Sequence, residues 1–116
     1  MEACNQDEHH SPQSVVAEPS VQQLERTAAL FKALGDPARL ALLYRLRQGE
    51  RCVGDLVGDD KLSTVSARLQ TLLNANLVSR RRDARHLYYQ LADQHVVELF
   101  ENAIAHANEK TLTQGD

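Results

Sequence analysis

The chain has 116 residues, 42% of them apolar, and a net charge of −3. That length suits one domain rather than two. Its longest apolar run, Leu40 to Tyr44, is far short of the roughly 20 residues that a membrane-spanning helix needs. The polar, acidic start is unlike a secretory signal, and two cysteines, Cys4 and Cys52, are too few for a disulfide framework. A cytoplasmic protein with no membrane contact is expected.

Residues 1–19 contain two prolines and show no apolar periodicity, so they are expected to form a flexible tail. Ser20 is placed to cap a helix in which Val21, Leu24, Ala28, Phe31 and Leu34 share one stripe. Gly35 ends it. Asp36-Pro37 starts a second helix at once, because aspartate caps well and proline at the first helical position gives up no hydrogen bond. Leu40, Leu43, Tyr44 and Leu46 make this helix amphipathic up to Gly49.

A short helix is expected from about Cys52 to Val57, interrupted by Gly58-Asp59-Asp60. Another begins at Ser63, with Leu62, Val65, Leu69, Leu72 and Leu73 on its apolar side. Ser63, Thr64, Ala67, Gln70, Thr71 and Asn74 lie on the other side. Asn76 suits a left-handed terminator. Leu77–Arg82 and His86–Leu91 then alternate like two strands joined by Asp83-Ala84-Arg85. The final helix runs from Asp93 to about Glu109, with Val96, Leu99, Phe100, Ala103, Ile104 and Ala107 apolar. The organisation is a tail (1–19), one domain (20–110) and a C-terminal tail (111–116).

A short helix turning into a second helix with a small, polar outer face is a helix-turn-helix, and a hairpin directly after it is a wing. The expected fold is therefore mainly α with a small β-hairpin, a winged helix-turn-helix. Charge supports this. Between Lys61 and His86 stand six basic residues (Lys61, Arg68, Arg80, Arg81, Arg82 and Arg85) against the single acid Asp83. Local field, not net charge, attracts a polyanion. Ser63, Thr64, Ser66, Ala67, Arg68, Gln70 and Thr71 are the candidates for reading base edges. Arg80, Arg81, Arg82 and Arg85 are the candidates for phosphates or the minor groove.

The segments LGDPARLALLYRL (34–46), CVGDL (52–56), STVSARL (63–69) and LVSRRRDARHLYYQL (77–91) together resemble the ArsR/SmtB family of metal-responsive repressors. The resemblance covers about residues 20–110. It implies a homodimer held by the first and last helices, and double-stranded operator DNA read by the helix that starts at Ser63. It also implies repression relieved by an effector. Ala67-Arg68 stands where many members have histidine or glutamine.

The last helix carries Asp93, His95, His106 and Glu109, a donor set suited to tetrahedral zinc, with cobalt or cadmium as alternatives. The resemblance implies a metal site at this spacing. It also implies that a ligating histidine, here His106, hydrogen-bonds through its other ring nitrogen toward the DNA-reading helix. His95 and His106 point to one face but lie roughly 16 Å apart along a helix axis, too far for one ion. In an antiparallel pair of such helices, Asp93 and His95 of one chain meet His106 and Glu109 of the other, giving two equivalent sites. The operator is expected to be an inverted repeat. The resemblance also offers a second metal site at Cys52 and Asp55, with Cys4, His9 and His10 from the tail, against a purely structural Cys52 beside a free tail. The alternative is a winged-helix regulator answering a redox or other non-metal signal. No phosphate loop and no nucleophile beside a base point to an enzyme.

Overall fold

The computed structural model describes residues 17–114. The elements are α1 (Val21–Leu34), α2 (Pro37–Arg47), β1 (Arg51–Cys52), α3 (Val53–Leu56), α4 (Leu62–Asn74), β2 (Val78–Asp83), β3 (His86–Leu91) and α5 (Gln94–Gln114).

Local chemistry sets the element ends as the sequence predicts. The Ser20 hydroxyl accepts from the Gln23 amide, and the Gln23 side chain accepts in return from the Ser20 amide, a complete capping box. Asp36 Oδ2 accepts from the Arg39 amide with Pro37 at the first helical position. The Arg39 guanidinium then donates to the carbonyls of Ala33 and Lys32, so one side chain ties the end of α1 to the start of α2. Asn76 takes a φ of 61°, and the amides of Asn76 and Leu77 return to Leu73 and Leu72.

Several details differ from the sequence reading, among them the start of α4 at Leu62, which is exposed rather than on the apolar side. Cys52 is the end of a two-residue strand rather than the start of a helix, because Arg51 and Cys52 pair with Tyr89 and Tyr88. The sheet accordingly has three antiparallel strands in the order β1-β3-β2. Asp93 caps the last helix instead of lying within it, its Oδ1 accepting from the Val96 amide, and that helix continues past Glu109 to Gln114. Tyr44, expected on the apolar side of α2, is exposed, and Leu42 is buried there beside the expected Leu43 and Leu46.

The core joins α2, α3, α4 and the sheet through Leu43, Leu46, Leu56, Val65, Leu69, Leu72, Leu77, Val78 and Tyr89, with Val96 and Phe100 from the first turns of α5. This packing fixes α4 against the sheet. Leu69 is fully buried, so Leu69→Ala removes apolar contact and leaves a void, at a cost of about 3 kcal/mol. A lower denaturant midpoint with an unchanged slope is the expected result.

Of the apolar stripe of α1, Leu34 at its end packs against this core. Val21, Leu24 and Phe31 are exposed, as is Ile104 on α5. An open groove of about 1000 Å³ lies between α2 and α5, floored by Leu40, Tyr44, Phe100 and Ile104. The Arg47–Glu101 ion pair (2.6 Å) links the two helices beside it.

Candidate nucleic-acid interface and metal centre

Helix α4 presents Ser63, Ser66, Ala67, Gln70 and Thr71 to solvent. Thr64 and Arg68 are half-buried at the side of this face. Arg68 donates to Asp60 Oδ2 at 3.0 Å, tying the helix to the turn that precedes it. Gln70 donates from Nε2 to Asn74 Oδ1 (2.9 Å), which fixes its amide along the helix. The Thr71 hydroxyl donates back to the Ala67 carbonyl, the local bond common for threonine in a helix. The outer face is thus small and polar, with amide and hydroxyl groups that can meet base edges in a major groove.

The hairpin turns tightly, since Asp83 pairs with His86 and Ala84 takes a φ of 57°. Strand alternation divides its four arginines. Arg80 and Arg82 pair with Tyr89 and Leu87, on the sheet face that continues into the core through Val78. Arg81 pairs with Tyr88 on the opposite face. Arg80, Arg82 and the tip residue Arg85 are exposed, and none makes an ion pair among the described residues. Arg81 differs. Its Nε and Nη2 donate to the two carboxylate oxygens of Glu50, each at 2.8 Å, and its guanidinium lies 4.5 Å above the centre of the Tyr88 ring. Those hydrogen bonds hold the Glu50 carboxyl below the usual carboxylate range and raise Arg81. Glu50, Tyr88 and Asp60 were not singled out by the sequence; only the strand register and the turn bring them to their partners.

The four donors of α5 and its cap fall into two groups. Asp93 and His95 stand together at the helix start, Oδ1 to Nδ1 at 3.6 Å, with the His95 side chain 95% exposed. His106 and Glu109 are exposed eleven and sixteen residues beyond the cap-proximal His95 and Asp93 respectively. Among the described residues no three histidine, cysteine, aspartate or glutamate side chains gather around one point. Two carboxylates and two imidazoles nevertheless match the donor types of a four-coordinate zinc site, and solvent reaches both pairs.

Cys52 is a half-buried free thiol whose Sγ lies 3.7 Å from His86 Nδ1, a neighbour that the sequence did not indicate. Helix α3 behind it is only four residues long. Asp55 lines a different hollow, with Arg45, Gln48 and Arg51. Cys4, His9 and His10 lie outside the described residues. No helix among the described residues is long and apolar enough to cross a membrane.

Comparison with known proteins agrees with this architecture. The pattern of the family described as "Bacterial regulatory protein, arsR family" matches residues 36–80. The chain is 39% identical over 114 residues to a transcriptional repressor SmtB homolog of Synechocystis sp., covering 94% of this chain and 86% of that protein. It is 36% identical over 85 residues to a cadmium resistance transcriptional regulatory protein CadC homolog of Staphylococcus aureus, covering 71% of this chain and 70% of that protein. A homodimeric winged helix-turn-helix DNA-binding domain from Mycobacterium bovis superposes with a TM-score of 0.73 at 35% identity, over 81% of this chain and 92% of that one. With a helix-turn-helix, a wing and relatives that are regulators rather than enzymes, the chain belongs to the arsR family, as a winged helix-turn-helix transcriptional repressor of the SmtB type.

Proposed function

We propose that the chain represses transcription as a homodimer on an inverted-repeat operator and leaves it when zinc occupies two sites shared between the α5 helices. The observation that carries the metal half of this reading is the division of four donors into two exposed pairs on one helix and its cap. Asp93 and His95 of one protomer, with His106 and Glu109 of the other, would hold each ion. When bound, zinc supplies a doubly charged centre that selects four nitrogen and oxygen donors.

The chain's own residues supply the rest. Exposed Val21, Leu24 and Phe31 on α1, with the groove floored by Leu40, Tyr44, Phe100 and Ile104, support burial against a second copy. The homodimeric state of the Mycobacterium bovis domain supports the same assembly. Two-fold symmetry then presents two α4 helices to successive major grooves. A second metal position at Cys52 belongs to this proposal, with His86 as the neighbouring donor in the described structure.

The test is operator binding with and without zinc, on DNA selected from random-sequence duplexes, across a salt series. Zinc is expected to weaken binding at least fivefold, at the low end of ordinary coupling energies of about 1–3 kcal/mol. Arg82→Ala should weaken operator and unrelated DNA alike and lower the salt slope by about 0.9, whereas Gln70→Ala should lose preference for operator. An affinity indifferent to zinc defeats the metal half while leaving the DNA half standing.

A further inference from the structure

We propose that Arg81 is not a phosphate-binding residue of the wing but a strap, working with Glu50 and Tyr88, that sets the wing's angle to the DNA-reading helix. Arg81 stands on β2, Tyr88 on the central strand β3, and Glu50 immediately before β1. Arg81 therefore reaches across the ring of Tyr88 and closes on Glu50 at the far side, spanning all three strands.

Its hydrogen-bonding edge is committed. Both Nε and Nη2 serve the two oxygens of one carboxylate, and Nη1 faces Asp83 at 3.9 Å. With two acids beside it and an aromatic face beneath it, Arg81 brings little unbalanced charge to a polyanion. Arg80, Arg82 and Arg85 keep theirs, as described above.

The far end of the strap gives it a purpose. β1 leads without a break into α3, and α3 leads through the Asp60 turn into α4. A bidentate arginine–carboxylate pair fixes geometry as well as adding energy. An exposed pair of this kind contributes little to folding stability, so its effect falls on where the hairpin sits. A wing already held at the right inclination loses less freedom when Arg82 meets a phosphate. Arg81 and Glu50 are positioning residues for DNA binding, and this inference rests on the DNA-binding reading.

The experiment is fluorescence anisotropy with a labelled random-sequence duplex at several salt concentrations, using the full chain and Arg81→Ala, Arg81→Lys, Glu50→Gln and Arg82→Ala. Wild-type binding that weakens with salt is the control on the DNA-binding reading itself. The strap predicts that Arg81→Ala, Arg81→Lys and Glu50→Gln each weaken binding by about three- to tenfold, with the salt slope and melting temperature little changed. Only Arg82→Ala should lower the slope, by about 0.9. Arg81→Lys is decisive because it keeps the charge and loses the fork. The proposal is overturned if Arg81→Lys binds like wild type, if Arg81→Ala lowers the slope as Arg82→Ala does, or if Glu50→Gln tightens binding. Each of the last two outcomes makes Arg81 a phosphate ligand that Glu50 holds back. Unchanged binding in all three strap variants overturns it equally.

Discussion

Two variants that each fail to bind zinc on α5 should recover tight binding once they are mixed. One variant carries Asp93→Asn and His95→Ala; the other carries His106→Ala and Glu109→Ala. Asparagine is chosen at position 93 because the Asp93 carboxylate also caps α5 through the Val96 amide, and asparagine caps a helix about as well. Each homodimer has only half-sites. Joint unfolding and refolding gives heterodimers as about half of all dimers if assembly is random. In a heterodimer, one site has lost both pairs. The other takes His106 and Glu109 from the first variant and Asp93 and His95 from the second, and is complete. Calorimetry should therefore find one tight zinc ion per heterodimer. The separation along α5, roughly 16 Å between His95 and His106, makes this outcome a requirement of the shared site. A mixture as inert as its parents removes the shared site, whatever the similarity to SmtB-type repressors.

His106→Ala should leave a repressor that binds operator normally and ignores zinc. Coupling between two ligands is reciprocal: whatever factor zinc imposes on operator affinity, operator must impose on zinc affinity. In wild type that factor is expected between about five and 150, and in His106→Ala it should fall to about one. The measurement is a pair of titrations, operator with and without zinc and zinc with and without operator. Equal factors in both directions verify the cycle, and their loss in the variant assigns the coupling to His106. A variant that still releases operator on zinc addition moves sensing to another position, with Cys52 beside His86 the first to examine.

What could be read from the residues beforehand was what neighbours in sequence decide. Ser20, Asp36-Pro37 and Asn76 declare helix ends because capping is a matter of a few adjacent atoms. The alternation from Leu77 to Leu91 declared two strands for the same reason. The strand β1 was not legible, since two residues have no period and Arg51-Cys52 becomes a strand only through the ladder with Tyr88 and Tyr89. The four arginines of the wing read alike in the sequence; register sends Arg81 to the other face and gives it Glu50, thirty-one residues earlier in the chain. Arg68 looked like one more cation of the reading helix until Asp60 occupied it. The α1 stripe shows the reverse case: Val21, Leu24 and Phe31 were correctly assigned to one apolar face, and all three lie bare in the single chain.

The joint between wing and last helix is short enough to act as a lever. β3 ends at Leu91, Ala92 is anchored by its amide to the Leu77 carbonyl at 3.1 Å, and Asp93 already caps α5. The fulcrum is therefore the same residue that stands in the candidate metal pair. From there β3 runs six residues to the hairpin tip, an arm of about 20 Å at strand rise. A tilt of about 10° at Asp93 swings Arg85 through roughly 3–4 Å, more than the length of a hydrogen bond. In the proposed repressor, a change of that size in the direction of α5 would be enough, at the far end of that arm, to separate a guanidinium from a phosphate.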